Sequence, residues 1–291
     1  MKVMRLRTCL AVGVSLVVLA GCAKTKVFVG GQPAPKVYKG IVSLAPGATE
    51  IASLTFNRVI LGRTASCDVP ESVHTLPIVT DGLKPNYEKI AALKPDVVVY
   101  DADLMAPADI EKFKELNIDA VPLGGDTVDQ FCDSIYEFSK WTMAEMLGST
   151  YVDKITRERS VALSAAPKPA VTIAFIMPGG SGTEHMIAGT EGFLADVARG
   201  NGSSPVGPKG KLFVPLNVES FMQMDPEVIM VAGNSPSPVL NDPRLKNLRA
   251  VRNKHVYSTP TNLALRKGAY VDLLIKRVSE VALLGRRKAQ G

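Results

Sequence analysis

The sequence predicts an α/β protein of two lobes with mostly parallel central sheets, joined by one long backbone helix, with a ligand cleft between the lobes. Three observations carry that expectation. Short β-branched runs alternate with amphipathic stretches of about ten residues, which calls for parallel βαβ units. The chain has 291 residues, long for a single core, and two lobes of roughly 100–150 residues each are the natural division. The third observation is an internal echo. Glu88 opens EKIAALKPDVVVYD and Glu219 opens ESFMQMDPEVIMVA. In both, the glutamate lies seven residues before a proline, followed by an acidic residue and a β-branched run. The residue before a proline is pushed out of the αR region, so a helix ends there and a strand begins.

At the start, Lys2, Arg5 and Arg7 precede an apolar run from Leu10 to Ala20, and the run closes in Leu19-Ala20-Gly21-Cys22. A basic segment, a short apolar stretch and small residues before a cut make residues 1–21 an export signal. The run is too short to span a bilayer comfortably. Its ending resembles a bacterial lipobox, which implies that Cys22 receives lipid and becomes the new N-terminus. The alternative is a plain signal peptide that happens to contain a cysteine. Either way the product is exported, and the lipobox implies membrane anchoring, facing the periplasm or the cell exterior. Residues 22–39 hold Gly-Gly and two prolines without periodicity, as expected of a flexible tether. Cleavage before Cys22 removes three cations and no acid, so the net charge falls from +6 to +3. The apolar fraction of 46% with 21% charged residues excludes disordered and multi-span classes. No basic run with interleaved aromatics points to nucleic acid.

The first lobe is expected over 40–148. IVSLAP (41–46) reads as a strand, ATEIASLTF as a helix, and Val59 to Gly62 as a second strand before a loop from Arg63 to Lys84. A helix from Tyr87 to Leu93, a strand DVVVYD (96–101), a helix over 108–117 and a strand over 119–124 follow. Asp126 is the expected cap of the helix FCDSIYEFSKWTMAEML. The connecting helix is expected over 149–166, with Gly148 closing what precedes and Ser149 capping the first turn. Val152, Ile155, Ala162 and Leu163 would face the core, and Pro167 and Pro169 stop the helix. An ordinary helix inside one domain is the competing account. In the second lobe, 167–291, strands are expected at 170–178, 227–233 and 255–260. Helices are expected around 192–198 and 243–251, with a closing helix from Ala269 to Leu284.

These residues resemble the helical-backbone periplasmic binding proteins for vitamin B12, iron siderophores and haem, and most of all the B12-binding branch. The likeness rests on IVSLAPGATE, the R-x-x-S-C-D-V-P loop from Arg63 to Pro70, and NYEKIAALKPDVVV from Asn86 to Val99. MIAGTEGFLADV from Met186 to Val197 and DPEVIMV from Asp225 to Val231 extend it. The resemblance implies a non-enzymatic receptor for an importer with an ABC permease and a cytoplasmic ATPase. The cargo would be a metal chelate, a corrinoid foremost, with a ferric siderophore or haem as the alternative. Outside that class stands a structural lipoprotein with no small ligand. The resemblance also implies that Glu88 and Glu219, one per lobe, dock onto permease arginines; the other reading is two solvated helix-start carboxylates.

Ligand should lie where carboxyl ends of parallel strands converge. That implicates Pro46, Gly47, Ser66 and Asp81 in the first lobe, and Met177, His185, Phe213 and Arg266 in the second. The B12-binding branch packs the corrin with aromatics, whereas Ser66, Asp81 and Val214 stand in matching places here. His185, one of three histidines with His74 and His255, could ligate a chelated metal through neutral imidazole; a lone loop histidine is more often a polar surface residue. No His/Asp/Glu set has spacing for a bare metal site. Arg63, Lys84, Lys209, Lys211, Arg266 and Lys267 could form a basic cleft for an anionic siderophore, or be scattered solvated cations. Cys67 and Cys132 could pair in an oxidising compartment or remain separate thiols. Gly202–Gly207 lacks the lysine of a P-loop, and GGSGT (179–183) lacks the final glycine of a nucleophile elbow. A monomer without catalysis is expected.

Overall fold

In this computed structural model the described residues are 38–55, 59–81, 84–180 and 184–287. The expected signal segment, Cys22 and nearly all of the tether lie outside them. The first half runs β1 (Gly40–Ser43), α1 (Pro46–Thr55), β2 (Val59–Gly62), a 3-10 turn (Glu71–Thr75), β3 (Thr80–Asp81), β4 (Lys84–Pro85), α2 (Tyr87–Ala92), β5 (Val97–Tyr100), α3 (Pro107–Glu115) and β6 (Asp119–Pro122). Two helices follow, α4 (Val128–Trp141) and α5 (Glu145–Ser164). The second half runs β7 (Thr172–Met177), β8 (Met186–Ala188), α6 (Phe193–Gly200), β9 (Ser204–Pro205), β10 (Phe213–Pro215), α7 (Val218–Met224), β11 (Val228–Ala232), α8 (Ser237–Leu240), α9 (Arg249–Arg252), β12 (Val256–Thr259), α10 (Thr261–Ala264) and α11 (Val271–Arg287).

The first-lobe sheet has the order β2-β1-β5-β6 and is parallel throughout. Helices cover both faces, so the central strand β5, Val97–Tyr100, is buried at every position. Val97, Val98 and Val99 are fully buried, yet Val97 and Val99 enter the inner core whereas Val98 and Tyr100 enter an outer one with Ile90 of α2 and Phe113 of α3. That split is the period-2 alternation of a strand between two helical layers. The second-lobe sheet has the order β10-β8-β7-β11-β12, with β9 also on β7. β7, β11 and β12 are parallel; β8 is antiparallel to β7 and β10. Its outer face packs Ile229 and Val231 against Phe221, Val239 and Leu248. The inner core runs without a break from Ile41 and Val97 of one sheet, through Phe131, Ile135, Ile155 and Val278 of the helices, to Ile173 and Val228 of the other.

The internal echo is structural. Asn86 caps α2 by accepting from the Lys89 amide, and Asn217 caps α7 by accepting from the Ser220 amide. Lys94 (φ +49°) and Asp225 (φ +38°), each just before a proline, sit in the left-handed region, so both helices stop where the proline forbids αR. The acids that follow do the same work in each lobe. The Asp96 amide donates to the Gly40 carbonyl at 2.9 Å, and its carboxylate receives the Lys39 and Gly40 amides. The Glu227 amide donates to the Thr172 carbonyl at 3.1 Å, and its carboxylate receives the Thr172 amide.

The backbone helix is longer than expected and begins earlier. α5 starts at Glu145, with Ala144 at its cap position, rather than at Ser149. Ser149 instead donates back to the Met146 carbonyl inside the helix. Gly148 does not close an element. It is buried within α5, where a Cβ would lie 2.5 Å from the Cβ of Ser139, so its bareness lets α4 and α5 touch. Tyr151, not Leu163, is on the buried face; Leu163 is 57% exposed. Thr127, not Asp126, caps α4, accepting from the Gln130 amide. Twenty residues make a rod of about 30 Å. It packs along α4 and α11 and links the two sheets. Among the described residues no helix is long and apolar enough to cross a membrane.

Candidate functional site

The carboxyl ends of β1, β5 and β6 carry Pro46-Gly47, Asp101 with Asp103, and Gly124 through Asp126. Facing them is the second-lobe segment after β12 and α10, which holds Arg266, Lys267 and Gly268. Gly47 and Gly268 let the two backbones meet. A Cβ on Gly47 would stand 2.4 Å from the Lys267 carbonyl oxygen; one on Gly268 would stand 2.1 Å from Glu50 Oε2 and 3.0 Å from Gly47 Cα. Tyr151 of α5 secures the same segment from below. Its buried hydroxyl donates to the Gly268 carbonyl at 2.7 Å and accepts from the Val271 amide at 3.1 Å.

Ion pairs close the seam. Arg266 Nη1 lies 3.0 Å from Glu50 and 2.5 Å from Asp68. Lys267 Nζ lies 2.9 Å from Asp101 and 2.6 Å from Asp103, beside the bare Cα of Gly124. Lys211 of the second lobe pairs with Asp126 of the first. Burial decides their weight. The Glu50 side chain is 1% exposed and Arg266 16%, so losing one partner there strands a buried charge, about 3–5 kcal/mol. Lys211 and Asp126 are 54% and 30% exposed, the surface regime of about 1 kcal/mol or less. Burial holds the Glu50 carboxyl above its usual range, against the pull of Arg266 and the Ala269 amide. The hydrogen bond from Arg266 holds Asp68 below its usual range. For Lys267, burial pulls the ammonium down, but Asp101 and Asp103 outweigh it and leave the group raised.

Of the residues expected around the ligand, Pro46, Gly47, Ser66 and Arg266 come together at this seam. Ser66 contributes its carbonyl to Arg266. The β3 backbone carries Asp81, paired to Lys84; Gly82 and Leu83 of the adjoining turn lie outside the described residues. Met177 ends β7 opposite Met186. Phe213 lines a small void of about 10 Å³ with Leu194, Leu265 and Phe175. His185 is 6% exposed and both ring nitrogens are engaged. Nδ1 accepts from the Gly179 amide at 3.0 Å, and Nε2 faces Asp242 at 3.3 Å. In this arrangement both nitrogens clasp neighbouring segments of the second lobe. Arg63 turns inward and donates to the carbonyls of Thr64, Cys67 and His74, so it shapes its own loop instead of a basic cleft. Cys67 and Cys132 are separate thiols. Cys67 sits against the hydroxyls of Thr49 and Thr64, and burial pushes the Cys132 thiol up to about 12.

Glu50, Asp68, Asp101, Asp103, Tyr151 and Gly268 escaped the sequence reading. Their partners are 117–216 residues distant or nearly so (Tyr151 to Gly268 spans 117, Glu50 to Arg266 spans 216), and no local pattern records such a pairing. Glu88 and Glu219 are exposed in the first turns of α2 and α7, with no ion pair among the described residues. No group of three or more His, Cys, Asp or Glu among those residues could hold a metal ion.

Comparison with solved structures returns the same architecture. A periplasmic haem-binding protein of Roseiflexus in apo form, RhuT, is 18% identical, with a TM-score of 0.73 over 85% of this chain and 98% of that one. The periplasmic vitamin B12-binding protein BtuF of Vibrio cholerae is 18% identical, with a TM-score of 0.73 over 86% and 98%. A possible iron-binding, periplasmic solute-binding protein of Staphylococcus epidermidis is 20% identical, with a TM-score of 0.69 over 84% and 99%. A search of curated proteins returns no match. The family model described as periplasmic binding protein matches residues 41–263. The chain belongs to the periplasmic binding protein family.

Proposed function

We propose that this chain is the solute-binding lipoprotein of an ABC importer, which captures a metal chelate between its lobes and presents it to the permease and its ATPase. The carrying observation is the pair Glu88 and Glu219. Each is exposed at the second position of an asparagine-capped helix at matching places in two lobes. Two carboxylates on separate rigid lobes can report lobe spacing to a partner carrying two cationic sockets. Attachment through lipid on Cys22 and a monomeric body complete the reading.

A corrinoid is the cargo the cleft residues favour. Leu104, Leu212, Val214 and Leu265 are exposed, at 61%, 59%, 39% and 37%, on or beside the loops that the seam joins. Such aliphatic walls suit the face of a large macrocycle through apolar burial. Arg266, Lys267 and Lys211 are already neutralised by first-lobe acids, which leaves little free positive charge for an anionic siderophore.

Calorimetry against cyanocobalamin, cobinamide, hemin and a panel of ferric siderophores tests the cargo. Saturable one-to-one corrinoid binding is expected. Siderophore or hemin binding alone would move the assignment within the class, and silence across the panel would remove the cargo claim. For the docking role, Glu88→Ala with Glu219→Ala should spare ligand affinity and abolish uptake; lost affinity would overturn that assignment.

A further inference from the structure

We propose that the turn between α4 and α5 is a membrane-contacting surface, which seats the folded body on the bilayer holding its own lipid anchor. The proposal rests on the lipoprotein reading of Cys22.

Met143, Met146 and Leu147 are 62%, 79% and 50% exposed. Single exposed apolar side chains are ordinary, but three large ones within five residues at one turn form a patch that asks for a partner. Trp141 lies half-buried beside them, and on the preceding turn of α4 the Lys140 ammonium stands 4.5 Å over the Tyr136 ring. Local charge is balanced: Lys140 pairs with Glu137, and Lys39 and Glu145 are exposed nearby. Flexible methionines, an indole and a lysine stem over an aromatic ring are the composition of a surface that sits at a lipid–water boundary.

Chain connectivity selects that occupant. Tyr38, the first described residue, is fastened to this same turn. Its amide donates to the Trp141 carbonyl at 3.3 Å, and the two rings meet edge to face at 5.7 Å. Its hydroxyl donates to Asp119 at 2.8 Å. Cys22 lies sixteen residues upstream. That length reaches about 55 Å at most at full extension. The turn is therefore where the body is held to its anchor. α4 leaves the carboxyl end of β6 and runs away from the seam, so the patch occupies the opposite pole of the first lobe from Lys267 and Asp101. A body seated on this pole keeps its cleft open to solute.

Trp141 is the single tryptophan of the chain, so its fluorescence reports on this turn alone. The mature lipidated protein is reconstituted into phosphatidylethanolamine/phosphatidylglycerol liposomes carrying doxyl-labelled phospholipids, with labels at shallow or deep acyl positions. Shallow labels should quench Trp141 more than deep ones. The variant combining Met143→Ser, Met146→Ser and Leu147→Ser should still co-float with the liposomes but lose most of that quenching. Co-flotation without quenching in the unmutated protein, or equal quenching in the variant, overturns the membrane contact while leaving the anchor reading intact. Failure to co-float defeats the anchor reading and this proposal with it. A dimer in sedimentation that the variant abolishes, with no lipid quenching, gives the face to a second copy and overturns the proposal.

Discussion

The two lobes share a frame and differ in their loops. In each, an asparagine-capped helix carries an exposed glutamate, ends on a left-handed residue before proline, and passes to an acid that holds the neighbouring strand's first amide. Past that unit they part. The first sheet is wholly parallel, and the side facing the second lobe carries Glu50 on α1 and Asp68, Asp101, Asp103 and Asp126 on loops. The second adds antiparallel β8 and β10 on one edge, and its facing loops carry Lys211, Arg266 and Lys267. Backbone hydrogen bonding at a helix–proline–strand junction allows few solutions, so the frame repeats. Loops escape that constraint, and here they have taken opposite charge. Closure is thus a matter of complementarity between unlike faces of similar lobes.

The largest expected break in that complementarity is Glu50→Ala. It should cost about 3 kcal/mol in urea unfolding, the low end for stranding one member of a buried pair, because Asp68 still holds Arg266. Gly268→Ala comes next, at about 1–3 kcal/mol, since its Cβ meets Gly47 backbone as well as the Glu50 carboxylate. Tyr151→Phe removes a buried donor and acceptor and should cost about 1–2 kcal/mol. Asn86→Ala and Asn217→Ala sharpen the comparison of frames. Each should cost about 1 kcal/mol, and markedly unequal losses would break the equivalence of the two junctions. Lys211→Ala should cost less than about 1 kcal/mol.

Acidity separates two carboxylates that hold the same guanidinium. Glu50 titrates above its usual range because burial disfavours its charge. The stability this group contributes is complete below its unfolded pKa and is lost as pH rises through the folded one. The melting temperature of the unmutated protein relative to Glu50→Gln should therefore rise as pH falls from 7 to 4. Asp68 titrates below its usual range, so its contribution is present above the unfolded pKa and lost as pH falls through the folded one. Relative to Asp68→Asn, the unmutated protein should lose its advantage in that acidic window. Thermal melts at several pH values check both, and like signs would refute the division of roles.

What was legible in the sequence is what local chemistry dictates. Buried parallel strands such as Val97–Tyr100 and Val228–Ala232 announce themselves as β-branched runs, and the proline echo marked the junctions in both halves. The start of α5 was not legible, because Gly148 ordinarily ends a helix; only the approach of Ser139 explains a glycine kept inside one. β8, β9 and β10 escaped for another reason. Each has two or three residues, too few to show a period, and pairing across the chain makes them strands. The seam was half-visible. Arg266 and Lys267 were visible as cations on the loops expected at the cleft, with scattered solvated charges as the alternative, but their acids lie in the other lobe. His185 was visible as a functional candidate, and its clasp by Gly179 and Asp242 appears only in three dimensions.

Lys267 bears on the affinity to be expected if cargo binds at the seam. Its ammonium fills the place between Asp101, Asp103 and Gly124 where the ends of two parallel strands would otherwise meet solvent. A solute entering there competes with a tethered occupant that dilution cannot remove. Observed affinity is then the intrinsic value scaled by the fraction of molecules in which the lysine has swung out. At one open molecule in a hundred, binding looks about a hundredfold weaker than the contacts themselves provide. If the proposed cargo enters at that place, Lys267 is a built-in competitor, and weak binding in a titration would measure that competitor as much as the cargo.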